Sequence, residues 1–191
     1  MKPLSISKYK QANEIVYYLD KLSEYTGRLV SWLVLLMVLI IFYDVSMRYV
    51  FKIGSVALQE LEWHLFAVIF LLGAAYTFKH DAHVRVDVFY NSAKCSDYCR
   101  AWIDISGFIF LLLPFSILII SSASGFAYNA YLIVEGSPDP GGLPYRYIIK
   151  AIVPLAFILL ILQGLSKLLL NAQVVIRHHR GNVARATPKQ D

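Results

Sequence analysis

The chain has 191 residues, of which 58% are hydrophobic and 16% are charged. A soluble domain has about 45–50% apolar and about 25% charged residues, so both measures indicate a membrane protein, and the length indicates one domain. The formal net charge is +5. Because basic residues flank the apolar segments, we interpret this charge as a topology signal and not as a nucleic-acid-binding surface.

Four segments are apolar enough to cross a bilayer, which takes about 20 residues of helix. They cover residues 29–50, 61–78, 102–128 and 147–170. The predicted fold class is therefore all-α, an integral membrane protein with four transmembrane helices. We expect a cytoplasmic N-terminal segment at 1–28, a four-helix transmembrane domain at 29–176 and a basic cytoplasmic tail at 177–191.

The N-terminal segment has an apolar pattern of its own. Ile15, Leu19, Leu22 and Tyr25 recur at helical spacing, with charged residues between them. The pattern predicts an amphipathic interfacial helix that lies along the cytoplasmic membrane surface. An ordinary first helix packed on the ends of the spans is the alternative interpretation.

Two prolines and two groups of small residues lie within the later spans. Pro114 falls in the third span and Pro154 in the fourth, where neighbouring helices can accommodate a proline kink. Residues 73–75 and 121–125 are Gly, Ala or Ser, which favours close packing against another helix.

The basic residues are distributed unevenly between the two sides of the membrane. Fourteen of the 18 Lys and Arg residues fall before the first span, between the second and third spans, or near the C-terminal end. By the positive-inside rule, both termini are predicted to be cytoplasmic. Trp32, Trp63 and Trp102 each lie near the start of a span, as interfacial anchors do.

Ionisable residues inside a bilayer usually mark function, and these spans contain few of them. Asp44 and Arg48 are spaced to pair on one helix face near the outer end of the first span. Deeper in the spans, the polar residues are mainly serines and Gln163. An ion-coupled carrier needs broken helices or carboxylates near the midplane. We therefore predict that the chain is not an enzyme and has no catalytic, metal-binding or cofactor-binding residues. We also predict that it does not transport a substrate alone.

Two other classes of protein remain open from the residues alone. Histidines at membrane depth could ligate a haem in the membrane anchor of an electron-transfer complex. His64 lies in a span, whereas the other histidines fall in cytoplasmic segments: His80, His83, His178 and His179. The second alternative is a self-associating four-span scaffold, which the small-residue faces suggest.

Two stretches resemble the small membrane (Q) subunit, DctQ-like, of tripartite ATP-independent periplasmic (TRAP) transporters. Residues 59–90 read QELEWHLFAVIFLLGAAYTFKHDAHVRVDVFY, with a Glu-Leu pair that opens the second span and a following His-Val-Arg-Val-Asp stretch. Residues 135–154 read EGSPDPGGLPYRYIIKAIVP and are similar to the outer loop and fourth-span start of one branch. The similarity covers roughly residues 30–170.

The resemblance implies an accessory role in transport across a bacterial inner membrane. In that family a periplasmic binding (P) protein captures an organic acid, and a large multi-span (M) subunit moves it inward with sodium. The small subunit supports the large one. The implied partners are therefore the M subunit, the P protein and the lipid bilayer, with no cofactor and no nucleic acid.

The resemblance also suggests two groups of candidate residues. Candidate contacts with the M subunit or the docked P protein lie on the predicted periplasmic side: Glu60, His64, Ser137, Asp139, Arg146 and Lys150. A candidate structural turn on the cytoplasmic side contains His83, Arg85 and Asp87, which we expect to stabilise the exit of the second span. Support of the chain's own fold is the alternative for both groups.

Overall fold

Every element of the described chain is a helix. The computed structural model describes residues 6–80 and 96–186, with the side chains of 14–80, 96 and 98–179. The helices are α1 (Ile6–Val50), α2 (Val56–Lys79), α3 (Asp97–Gly107), α4 (Leu113–Leu132) and α5 (Tyr147–Ala186), and a π-helical turn at Phe108–Leu112 joins α3 to α4. The prediction of an all-α protein is confirmed.

Four of the helical stretches are long and apolar enough to cross a membrane. They are Glu14–Val50 in α1, Val56–Lys79 in α2, Tyr98–Leu132 through α3 and α4, and Tyr147–His179 in α5. This agrees with the number and order of the predicted spans. Each helix runs beyond the predicted span, because hydropathy locates the apolar part of a helix and not its ends.

The first helix is continuous from Ile6 to Val50, so the predicted amphipathic segment is its N-terminal part and not a separate helix. No proline interrupts these residues. Ile15, Leu22 and Tyr25 are exposed, whereas Val16 and Ser23 are buried against the other helices. The 45 residues extend for about 67 Å, roughly twice the thickness of a hydrocarbon core of about 30 Å.

The fifth helix is the centre of the bundle, since it packs against each of α1, α2, α3 and α4. Two glycines allow the helices to approach closely. A Cβ atom at Gly27 would overlap the ring of Tyr76, and one at Gly164 would overlap the ring of Phe108. These contacts join α1 to α2 and the π-helical turn to α5. Small residues at helix crossings permit this kind of packing in membranes.

Both prolines lie within helical stretches, but only one of them is next to a distortion. The π-helical turn ends just before Pro114, and the Leu113 N–H donates to the carbonyl of Phe108, five residues earlier. A proline clashes with the carbonyl four residues before it, and the wider turn relieves that clash. Pro154 lies inside α5, which stays helical.

The C-terminal part of α5 continues the helix past residue 176, as far as Ala186. It packs along α3, where the Tyr98 and His178 rings stack with centroids 4.7 Å apart. Asn171 Nδ2 donates to Asp104 Oδ2 at 3.2 Å. The described part of the predicted tail is therefore a helical extension of the bundle.

Candidate functional site

The loop 133–146 joins α4 to α5 and folds over the N-terminal end of α2. Three of its residues have positive φ angles: Val134 (48°), Gly141 (80°) and Tyr145 (63°). Residues other than glycine, such as Val134 and Tyr145, rarely adopt this backbone conformation, so the contacts that the loop makes must hold it. We call this segment the outer loop.

Glu60, in the first turns of α2, is the main contact that holds the outer loop. Its side chain is buried and receives a hydrogen bond on each carboxylate oxygen. The Ser137 hydroxyl donates to Oε1, and the Leu143 N–H donates to Oε2 at 2.6 Å. Ser137 N–H also donates to the Leu143 carbonyl at 3.0 Å. A buried carboxylate requires such partners, and here they close the loop into a ring.

The tip of the outer loop requires a glycine where it passes Glu60. A Cβ atom at Gly142 would overlap the Ser137 side chain and crowd the Glu60 carboxylate. The Gly142 N–H donates to the Asp139 carbonyl at 3.0 Å, and the Asp139 N–H donates to Ser137 Oγ at 3.1 Å. These two hydrogen bonds hold the backbone of the tip, while the Asp139 side chain is exposed to solvent.

Two aromatic rings of α2 lie below the loop. The Arg146 guanidinium lies 5.5 Å from the centroid of the Trp63 ring, a cation–π distance. The Trp63 and His64 ring centroids are 3.8 Å apart. His64 Nδ1 donates to the Glu60 carbonyl at 2.5 Å, so its ring orientation is set by its own helix.

Lys150 connects the first turns of α5 to the outer loop and to α4. Its ammonium group pairs with the Glu135 carboxylate and lies 3.8 Å from the centroid of the Phe126 ring. Both members of the ion pair are largely buried. Water therefore screens their attraction less than it screens the attraction within an exposed pair.

The structure thus brings all six predicted contact residues to one end of the bundle: Glu60, His64, Ser137, Asp139, Arg146 and Lys150. We call them the outer cluster. Five of them use their side chains to hold the outer loop or α2, whereas Asp139 presents its carboxylate outward. The predicted cytoplasmic turn of His83, Arg85 and Asp87 lies outside the described residues.

A second polar group, at the other end of the bundle, was not predicted. Ser23 Oγ donates to Gln163 Oε1 at 2.5 Å, and Gln163 Nε2 donates to Asp20 Oδ1 at 3.0 Å. Ser166 Oγ donates to the same Asp20 oxygen at 2.7 Å. We call these four residues the inner network, which joins α1 to α5. Polar pairs spaced by three residues on both helices were the sequence signal that could have revealed it.

The last turn of α2 is joined to α1 beside the inner network. Lys79 Nζ lies 2.9 Å from Glu24 Oε2 and donates to the Asp20 carbonyl at 3.1 Å. His80 Nε2 lies 3.3 Å from the same Glu24 oxygen. The inner ends of α1, α2 and α5 are therefore held together by polar contacts.

The predicted pair of Asp44 and Arg48 is confirmed. Asp44 is buried, and its second carboxylate oxygen has no hydrogen-bond partner among the described residues; the same holds for one oxygen of Glu62. Among the described histidines, His64 belongs to the outer cluster, whereas His80 and His178 lie at the opposite end of the bundle. His64 is therefore separated from those two along the bundle.

A family model described as Tripartite ATP-independent periplasmic transporters, DctQ component, matches residues 37–174. The match covers more than half of the chain. The chain belongs to the DctQ family. It is therefore a small component of a TRAP transporter and a multi-pass membrane protein. No curated protein sequence matches it. The matched region begins within α1, includes the whole outer cluster, and ends in α5 just after Asn171.

Proposed function

We propose that this DctQ-family chain is the fixed scaffold of a sodium-coupled transporter for an organic acid. In this proposal it supports a large multi-span subunit and does not itself move the substrate. The proposal rests mainly on where the ionisable side chains lie. Residues 29–43, 65–78, 105–134 and 151–162 contain no Asp, Glu, Lys, Arg or His. Ionised substrates and coupling ions are bound near the midplane by polar side chains and broken helices, so the transport path belongs to a partner.

The polar side chains that do lie near the ends are used within the chain itself. The outer cluster closes the outer loop, and the inner network joins α1 to α5. Such contacts make the bundle rigid, because each buried polar group is satisfied in one arrangement of the helices. A rigid bundle suits a subunit against which another must move.

Reconstitution tests this function. The tagged chain, the large subunit and the binding protein would be co-expressed, and the chain would be purified in mild detergent. We expect the large subunit to co-purify. We also expect proteoliposomes that contain both membrane subunits to take up an organic acid only with the binding protein and a sodium gradient. Uptake by this chain alone, or its purification as a homo-oligomer without the large subunit, would overturn the proposal.

We further infer that the outer loop faces the periplasm and contacts the docked binding protein. Glu60 and Gly142 hold its backbone in one conformation, and a preorganised surface binds with less loss of conformational entropy. Asp139 is the member of the outer cluster whose side chain is directed to solvent. It is therefore the best position at which to test docking without disturbing the loop.

Charge reversal at Asp139 tests whether the outer loop contacts the binding protein. Asp139→Lys should reduce uptake several-fold by slowing association with the binding protein, because charges at an interface act chiefly on the rate of encounter. Co-purification with the large subunit should be unchanged. Lys52→Glu is the control, since Lys52 is an exposed charge outside the outer loop. Equal uptake by Asp139→Lys and the parent chain would rule out a docking role for this residue.

A further inference from the structure

The part of α1 that begins before the first predicted span contains a seven-residue repeat. Residues 14–34 read EIVYYLD, KLSEYTG and RLVSWLV. Each heptad begins with a charged residue and an aliphatic residue, and has an aromatic residue at its fifth position. The third position, occupied by Val16, Ser23 and Val30, is buried to 8%, 3% and 9% exposure. One side of the repeat therefore faces the bundle.

The opposite side of the repeat is uncovered. The fifth-position residues Tyr18, Tyr25 and Trp32 are 68%, 69% and 72% exposed, and the first-position cations Lys21 and Arg28 are exposed between them. Spacings of three and four residues place these side chains on one helix face. We call these five residues the α1 stripe. The second-position residues Ile15, Leu22 and Leu29 border it and are also exposed.

Lipid alone does not account for the α1 stripe. From Ile15 to Trp32 the exposed face extends for about 26 Å along the helix. The interfacial layer on one side of a bilayer is only about 5–8 Å thick. Trp32 and its neighbours can lie in that layer, but the apolar side chains nearer to the N-terminus then extend into water. A contiguous exposed apolar face of this kind marks an interface with another protein.

The seven-residue period indicates the shape of the partner. Side chains that recur every 3.5 residues keep one face of a helix against a second helix along a left-handed crossing. The partner surface is therefore helical, with apolar residues at matching spacing.

The charges of the stripe exclude a second copy of this chain. Two copies in one membrane would place their α1 helices parallel, so that Lys21 and Arg28 would each face its own counterpart. Like charges opposite each other destabilise an interface. Among the described residues, the Arg28 guanidinium lies 3.8 Å from Glu24, a weak contact, and its side chain is 77% exposed. A partner with carboxylates opposite Lys21 and Arg28 compensates both positive charges of the α1 stripe.

We propose that the α1 stripe binds an amphipathic helix of the large transport subunit, with acidic residues opposite Lys21 and Arg28. The inference rests on the proposed function, since it takes the large subunit as the partner. It adds the face of this chain that is used and the chemistry of the helix that it contacts.

Site-specific photo-crosslinking tests the proposal in membranes that contain the whole transporter. A benzophenone amino acid would replace Tyr18, Tyr25 or Ser31 in separate variants. Ser31 is the control, because it is exposed on the same helix but is rotated by about 140° from Tyr18 and about 120° from Tyr25. We expect an adduct with the large subunit from positions 18 and 25, at least about fivefold more than from position 31. Adducts with a second copy, with lipid only, or equally from 31 and 18 would overturn the proposal.

Co-purification without irradiation distinguishes a failure of the α1 stripe proposal from a failure of the proposed function. If the large subunit co-purifies but positions 18 and 25 give no adduct with it, the α1 stripe is not the interface and the proposed function stands. If the large subunit does not co-purify, both proposals fail.

Charge reversal tests the acidic character of the partner helix. Lys21→Glu and Arg28→Glu should each reduce the yield of co-purified large subunit several-fold, and more strongly in the double variant. Arg177→Glu is the control, because it removes an exposed positive charge from the same end of the bundle on another helix. Equal yields from the double variant, Arg177→Glu and the parent chain would overturn charge complementarity at the stripe.

Discussion

At the scale of single residues, the outer loop depends on one buried carboxylate. Glu60 accepts hydrogen bonds from Ser137 and from the Leu143 N–H. Glu60→Ala should therefore increase amide hydrogen exchange at Leu143 on the order of tenfold, because that N–H loses its acceptor. Gln59→Ala, at an exposed neighbouring position, is the control. Unchanged exchange at Leu143 in Glu60→Ala would show that other contacts hold the loop.

The loop glycines provide a second prediction at this scale. Gly142→Ala would force the new Cβ against Ser137 and Glu60, and overpacking of this kind costs about 1–3 kcal/mol. We expect a lower melting temperature in detergent and faster protease cleavage in the outer loop. Gly136→Ala is the matched control, because open space surrounds that position. Equal destabilisation by both substitutions would contradict the packing explanation.

At the scale of helices, the inner network determines how α1 and α5 are aligned. Asp20→Ala removes the acceptor of both Gln163 and Ser166, which are 1% and 0% exposed. An unsatisfied buried polar group costs about 1–3 kcal/mol, so the melting temperature in detergent should fall. Asp20→Asn keeps an acceptor oxygen at the same position and should retain most of the stability. A similar loss in both variants would mean that the negative charge matters more than the hydrogen bonds.

The continuity of α1 illustrates what sequence patterns resolve at this scale. Ile15, Leu22 and Tyr25 were correctly placed on one helix face, but that face is exposed and the buried face contains Val16 and Ser23. In a membrane protein, both faces of a helix can be apolar, because lipid or a partner subunit covers the face that is turned away from the bundle. Periodicity therefore finds the helix without deciding which face packs on the bundle.

At the scale of the whole molecule, the orientation in the membrane is the main prediction. In a chain with Cys95 and Cys99 replaced by Ser, Asp139→Cys should react with a membrane-impermeant maleimide in intact spheroplasts. Arg177→Cys should react only after permeabilisation, because the excess of Lys and Arg at that end is expected to stay inside. The reverse pattern would place both termini outside. The outer loop would then face the cytoplasm, where it could not contact the periplasmic binding protein.

Many residues of the candidate site could be predicted from the sequence, but the way in which they are arranged could not. The residues of the outer cluster come from two segments that resemble DctQ proteins, and the structure brings them together at one end. Their side chains, Asp139 excepted, contact the chain itself. The inner network was missed because Asp20 and Gln163 are 143 residues apart. Each helix has a polar pair spaced by three residues, which marks a candidate contact face, but no local pattern indicates that these two faces will meet.

The sequence by itself determined the number and order of the membrane helices and the family of the chain. These follow from local composition, because a segment of about 20 apolar residues in lipid must satisfy its backbone as a helix. The tertiary structure alone decided that Glu60 closes the outer loop, that Asp20 meets Gln163 and Ser166 and that the α1 stripe faces away from the bundle. Those outcomes depend on the rotation and register of each helix against its neighbours, which packing sets and hydropathy does not record.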